Sequence, residues 1–176
     1  MAIETEIALI EAAIGGDADS FTQLCGKYYP AMVALADSVL GDRHLAEDAA
    51  QEAFAKACLK LDRLKKKDRF GWWMAAICRN IARDMARARK KTESIEDCSP
   101  AVIETRQDGL TESVREAIKR LSVSEREVIY LRYYDGLAYE RMSEVLGISR
   151  MGIDGRLRRA KKKIAKHLSR NGFAEV

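Results

Sequence analysis

At 176 residues with 47% apolar side chains, the chain has material for one or two small packed domains, and a net charge of +4 is too small to name a partner class by itself. Two prolines and eleven glycines among abundant Ala, Leu, Arg, Lys and Glu predict an all-α fold. No run is apolar enough for membrane insertion, and the first sixteen residues lack a basic start and carry Glu4, Glu6 and Glu11, so a cytoplasmic protein is expected.

The first helix is marked by Ile3, Ile7, Ile10 and Ile14 and is broken by Gly15-Gly16-Asp17. A second runs from about Asp19 to Leu40 and ends at Gly41-Asp42. The third, Leu45 to about Leu61, puts Ala50, Ala53, Phe54, Ala57, Cys58 and Leu61 on one face and Glu47, Asp48, Gln51 and Glu52 on the other. Acidic residues in a first turn suit the helix dipole, which accounts for Glu47 and Asp48 but less well for Gln51 and Glu52. A basic loop follows, with Arg63, Lys65, Lys66, Lys67 and Arg69. The helix that starts at Phe70 buries Phe70, Trp73, Met74, Ile77, Ile81, Ala82 and Met85 and exposes Arg79, Asn80, Arg83 and Arg87. Trp72 and Trp73 point about 100° apart on a helix, so they are expected to be unequally buried. Aromatic rings beside cations are what single-stranded nucleic acid needs, a face for each base and a charge for each phosphate.

Thr92 to Gly109 lacks a sustained helical stripe, contains Pro100 and reads as an acidic flexible linker. It separates a domain of residues 1–91 from one of residues 110–176. In the second, Val114, Ala117, Ile118 and Leu121 define a helix, and Ser124-Glu125-Arg126-Glu127 reads as a capping box opening another, with Val128, Ile129 and Leu131 at core spacing. From Leu137 to Leu168 the pattern is helix-turn-helix. Asp135-Gly136 is a turn, Met142, Val145 and Leu146 share one face, Gly147 ends the helix and Ser149 caps the next. In that last helix Ile153, Leu157, Ala160 and Ile164 face inward, leaving Arg156, Arg158, Arg159, Lys161, Lys162, Lys163 and Lys166 for the polar face. A basic helix alone is usually a solvated surface; the turn and helix before it point to DNA.

Charge is unevenly distributed. From Arg63 to Lys91 eleven Lys/Arg stand against Asp68 and Asp84, a net of +9; from Arg150 to Arg170 nine stand against Asp154, a net of +8; the remainder is then +4 − 17 = −13. Two basic blocks imply two contacts with a polyanion, and the acidic remainder faces something else. Cys25, Cys58, Cys78 and Cys98 show no CxxC or Cys/His clustering, so neither a metal nor a cofactor is expected. Free thiols in a reducing compartment are the default, with redox sensing left open at Cys98 in the polar linker. There is no Gly-rich phosphate loop and no nucleophile-base pair at a recognisable spacing, so an enzyme is not expected.

These residues resemble the extracytoplasmic-function group of the sigma-70 family, the small bacterial sigma factors that recruit RNA polymerase to promoters. Ala46-Glu-Asp-Ala-Ala-Gln-Glu-Ala-Phe54 is similar to the acidic helix of sigma region 2 that docks on the β′ clamp helices, which implies polymerase-binding roles for Asp48, Gln51, Glu52 and Phe54. Phe70 to Arg89, with Trp73, Asn80 and Asp84, resembles the segment that melts and reads the minus-10 element. The implied contacts are Lys65, Lys66, Lys67, Arg69, Trp72, Trp73, Arg79, Asn80, Arg83 and Arg87. The helix-turn-helix resembles sigma region 4, which reads the minus-35 element and touches the β flap, through Ser149, Arg150, Asp154, Gly155, Arg156, Arg158, Arg159 and Lys162. The resemblance also implies control by an anti-sigma protein. Where relatives often carry Thr-Val-Lys/Arg-Ser-Arg, this chain has Gly152-Ile153-Asp154-Gly155-Arg156, and Ala138 replaces the usual serine cap. A stand-alone helix-turn-helix regulator would have no use for Asp48, Gln51 and Glu52, and a sigma mimic that only sequesters an anti-sigma protein would have no need of the cations kept here.

Overall fold

The computed structural model describes residues 2–93 and 109–173; most of the expected linker, Cys98 included, lies outside the described residues. Among the described residues all regular structure is helical: α1 Ala2–Ile14, α2 Ala18–Leu40, α3 Arg43–Cys58, 3-10 turns at Leu61–Arg63 and Lys67–Arg69, α4 Phe70–Glu93, α5 Gly109–Lys119, α6 Val123–Ile129 widening into a π turn at Tyr130–Tyr134, α7 Tyr139–Leu146 and α8 Arg150–Arg170. No described helix is long and apolar enough to cross a membrane.

The breaks are chemically specified. Asp17 caps α2 by accepting from the N–H groups of Asp19 and Ser20, both at 3.3 Å. Gly41 ends α2 in the left-handed region at φ 63°, its N–H bonded to the Asp37 carbonyl at 2.8 Å. Asp42 then caps α3 through the N–H groups of His44 and Leu45 at 3.0 and 3.2 Å. Expected and observed ends differ modestly. Leu61 is buried but sits in a 3-10 turn beyond α3, and α4 continues past Lys91 to Glu93.

In the first domain α2 is central, with Leu24, Tyr28 and the run Ala31 to Ala36 buried. A stripe of fully buried alanines on α3, Ala46, Ala49, Ala50, Ala53 and Ala57, keeps side chains short at the contact, so α3 lies close on α2. Cys58, expected on that inner face, is exposed, because Ala57 takes the inward position of the last turn. Phe70, Met74, Ala75, Cys78, Ile81 and Ala82 of α4 close the core. Cys78 lies deep in it, its Sγ donating to the Met32 carbonyl at 3.3 Å, and burial pushes its thiol up to about 12.

The second domain packs α5 to α8 around Val128, Leu131, Met142, Val145, Ile153 and Leu157. Its capping box is centred on Ser122 and not on Ser124: the Glu125 carboxylate accepts the Ser122 N–H at 3.0 Å and its hydroxyl at 2.8 Å. Ser122-Val-Ser-Glu125 satisfies the motif two residues earlier and lets α6 start at Val123. Lys163 of α8 also donates to Glu125 at 2.8 Å. Burial pushes the Glu125 carboxyl up, but the bonds from Lys163 and Ser122 outweigh it and leave the group below its ordinary value.

Two glycines in helices give opposite expectations. A Cβ at Gly71 would lie 2.6 Å from the Tyr28 ring, whereas at Gly26 it would meet nothing within 4 Å. Gly71→Ala is expected to lower unfolding free energy by about 1–3 kcal/mol, and Gly26→Ala to raise it by roughly 0.5–1 kcal/mol. Urea denaturation at unchanged m measures both.

Candidate nucleic-acid interface

The third helix presents a rigid acidic face. With Asp42 as the cap, Asp48 falls beyond the first turn and is not needed at the helix start. Asp48, Gln51 and Glu52 are exposed on adjacent turns. Glu47 is held by Arg43 at 3.2 Å and Glu52 by Lys56 at 2.5 Å, both within α3. Phe54 is only 7% exposed and stacks on Tyr29 with centroids 6.2 Å apart. Phe54 therefore braces the acidic face from beneath and offers little surface of its own.

The basic segment divides by environment. Lys65, Lys66 and Arg69 are exposed, whereas Lys67 is tied to Glu11 of α1 at 2.6 Å. Trp72 is 45% exposed while Trp73 packs against Phe70, the inequality expected of adjacent helical positions. Asn80, Arg83 and Arg87 form an exposed stripe along α4, with Arg87 near Asp84 at 3.3 Å. Arg79 does not join them. Its side chain is 15% exposed and its Nε donates to Glu127 of α6 at 2.6 Å, because α6 packs beside this part of α4.

In the helix-turn-helix, Gly147 takes φ 66° at the end of α7, and Ser149 caps α8 by accepting the Gly152 N–H at 3.2 Å. Ala138 occupies the N-cap of α7 with no side-chain bond. Asp154, Arg158, Arg159 and Lys162 are exposed, Gly155 and Arg156 are half-buried, and Arg150 pairs with Glu140. Two cations of the tract serve the domain itself: Lys163 holds Glu125, and Lys161 lies over Tyr133 at 5.3 Å. The Tyr133 hydroxyl raises the Lys161 ammonium above its ordinary value.

A helix-turn-helix behind a separate acidic and basic helical hairpin is matched by known proteins over the same residues. Residues 24–92 match the family model for sigma-70 region 2, and residues 111–164 match that for sigma-70 region 4. The chain belongs to the extracytoplasmic-function group of the sigma-70 family. It is 28% identical to the ECF RNA polymerase sigma factor SigW of Bacillus subtilis over 170 residues, 87% of this chain and 91% of that one. It is also similar to the solved structure of CnrH in complex with the cytosolic domain of CnrY, at TM-score 0.61 and 25% identity over 93% of this chain and 97% of that one. The sigma factor RpoE in complex with the anti-sigma factor NepR from Bartonella quintana matches at TM-score 0.57 and 26% identity, covering 86% and 98%.

The two regions of this sigma factor are packed together, and some of their predicted DNA-reading residues share clefts between them. Arg69 and Trp72 share one cleft with Ser149 and Arg150. Arg79, Asn80 and Arg83 share another, of about 630 Å³, with Arg156 and with Ser124 and Glu127 of α6. A methyl group added to Gly147 would overlap the Trp72 indole, so the glycine serves the domain contact as well as the turn. Arg141 of α7 lies 3.7 Å above the Tyr28 ring, donates to the Lys27 carbonyl at 3.0 Å and pairs with Glu144 at 2.6 Å and Glu6 at 3.8 Å. Arg43 of α3 approaches Asp135 at 3.8 Å. Tyr28 and Arg141 were not singled out by sequence, and Glu127 was read only as the acid of a capping box. Each looks like an ordinary helical residue, and the Arg141 contact joins positions 114 apart.

A nearly buried ion pair broken on one side leaves an uncompensated charge, at a cost of about 3–5 kcal/mol. Arg79→Ala combined with Arg141→Ala is therefore expected to loosen the region 2 to region 4 contact. Small-angle scattering should give a larger radius of gyration while circular dichroism stays unchanged; an unaltered radius would contradict the assigned contact.

Proposed function

We propose that this chain binds core RNA polymerase and directs it to a particular set of promoters. The observation that carries this is the separation of surfaces within one rigid hairpin: an exposed acidic stripe on α3 and an exposed basic, aromatic-edged stripe on α4. A stand-alone helix-turn-helix regulator accounts for neither, nor for the region 2 match. Sigma factors are initiation factors and not catalysts, so the chemistry here is recognition.

In this reading Asp48, Gln51 and Glu52 meet the β′ clamp helices, with Phe54 holding the helix in place. An apolar groove between α5 and α8, lined by Val114, Ile118, Ile129, Ile164 and Leu168, suits the β flap. Trp72, Asn80, Arg83 and the Lys65–Lys66 loop hold an unstacked base and its backbone at the minus-10 element. The α8 residues Arg150, Arg158, Arg159 and Lys162 grip phosphate at the minus-35 element, while Asp154 and Gly155 set base preference, an Asp being able to accept from cytosine N4. The packed arrangement covers part of both surfaces, so promoter engagement requires the regions to separate. An anti-sigma protein that favours the packed form would keep the factor inactive in the cytoplasm; of the similar structures, CnrH is in complex with the cytosolic domain of CnrY and RpoE with the anti-sigma factor NepR.

Gln51→Ala with Glu52→Lys is expected to abolish co-purification with core polymerase while helicity is kept, since charge reversal at an interface changes affinity by about several kcal/mol. Retained binding would rule out α3 as the docking helix.

Asn80→Ala with Arg83→Ala is expected to leave core binding and closed-complex formation intact but to block strand opening, read as permanganate reactivity of promoter thymines. Unstacking costs a few kcal/mol, and these contacts offset it. A pre-melted template should restore transcription. Normal opening of duplex promoters, or failure of the bubble to rescue, would remove the melting role.

A further inference from the structure

Two of the four cysteines hold matching positions on the α2–α3 hairpin. The tight bend at Gly41-Asp42 makes the helices antiparallel neighbours, and the stacked rings of Tyr29 and Phe54, 6.2 Å apart and 23° from parallel, fix their register. Cys25 lies four residues before Tyr29, and Cys58 lies four residues after Phe54. Each is thus one helical turn farther from the bend, on the same side of its helix as the ring, so the two thiols form the next rung of the same ladder. The buried alanines Ala50, Ala53 and Ala57 keep the backbones close along it.

The local surroundings suit a reactive pair. Cys58 is exposed and Cys25 is half-buried. Burial first, and then the nearby Cys58 sulfur, push the Cys25 thiol above its ordinary value, as expected of two ionisable groups in close proximity. The turn that carries Cys25 is loosely held. Pro30 lies within the helix and has no N–H for the Gly26 carbonyl, and Gly26 itself has open space around its Cα. That turn can shift to the Cα separation of about 5.5–6 Å that a disulfide prefers. Cys78 is buried under the Met32 carbonyl on α4 and cannot compete.

We propose that Cys25 and Cys58 form a dithiol site that hydrogen peroxide closes to an intramolecular disulfide. The Cys58 sulfur, as thiolate, attacks the peroxide: an S–O bond forms, the O–O bond breaks, and the leaving oxygen departs as water after taking a proton. The Cys25 sulfur then attacks the Cys58 sulfenic acid. The S–S bond forms, the S–O bond breaks, and the Cys25 proton leaves with the hydroxide as a second water. The protein is oxidised by two electrons and the peroxide is reduced by two. The bridge would staple α2 to the end of α3, one turn beyond Phe54.

The test treats the full chain with hydrogen peroxide, blocks remaining thiols under denaturing conditions, and digests with trypsin without reductant. The free-thiol count should fall from four to two. The peptide of residues 1–27 should appear joined to that of residues 57–60, lighter than their sum by two hydrogens, and dithiothreitol should reverse both changes. Cys25→Ser should prevent the bridge and leave a Cys58 sulfenic acid that dimedone traps; Cys58→Ser, at an exposed position, should leave the folded protein with no peroxide response at Cys25. Four persisting thiols, a Cys58 bridge between two chains, a bridge to Cys98, or accumulation of Cys58 sulfinic acid in the unsubstituted chain would each overturn the proposal.

Discussion

Tyr28 is the point on which the arrangement of this molecule turns. Its ring meets Phe70 edge-on at 5.1 Å and lies so close to Gly71, in the first turn of α4, that a side chain there would press on the ring. Its hydroxyl donates to Glu6 of α1 at 2.5 Å, and burial pushes the phenol up to about 12, so it remains a neutral donor across the physiological range. The remaining ring face carries Arg141 of α7. One aromatic side chain of α2 thus sets the packing of α1, the start of α4 and the seat of the helix-turn-helix. A desolvated cation over such a ring contributes up to about 2 kcal/mol.

The electrostatics of the domain contact follow from where the acids lie. The segments of net +9 and +8 meet at the clefts through Arg69, Arg79 and Arg83 on one side and Arg150 and Arg156 on the other, an arrangement that repels unless negative charge stands between them. Region 4 supplies most of that charge: Glu127 neutralises Arg79, Glu140 takes Arg150 and Glu144 pairs with Arg141, to which Glu6 of α1 adds from the other side. Of these arginines Arg150 is also among the proposed minus-35 contacts, where DNA phosphate would compete with Glu140 for it. The exposed acids of α3 take no part in these ion pairs, Glu47 and Glu52 being paired within their own helix.

Much of the architecture was legible because the chain punctuates its helices with residues whose local chemistry has one outcome. Asp17, Asp42 and Ser149 cap, Gly41 and Gly147 adopt positive φ, and apolar stripes of 3.6-residue period run between them. The misplaced features have equally local reasons. Ser122 and Ser124 both precede an acid at capping distance, and only the observed start of α6 decides between them. Cys58 sits next to Ala57 at the edge of a stripe, where one residue separates core from solvent. Phe54 belongs to the sigma-like motif yet is a brace, since motif spacing specifies a helix face but not how deeply a large ring sinks.

The sequence by itself determined the elements, the two regions, the acidic and basic faces and the membership in the sigma-70 family, because these depend on contacts within a few residues or on ordered motifs along the chain. Only the tertiary structure decided which cations are available. Arg79, Lys67 and Lys163 look the same in sequence as Arg83, Lys66 and Lys162, yet the first three are held by Glu127, Glu11 and Glu125 from other elements. It likewise set Tyr29 against Phe54 and Trp72 against Gly147. Pairings between residues tens of positions apart depend on packing angles and helix register, and no local pattern of residue types carries that information.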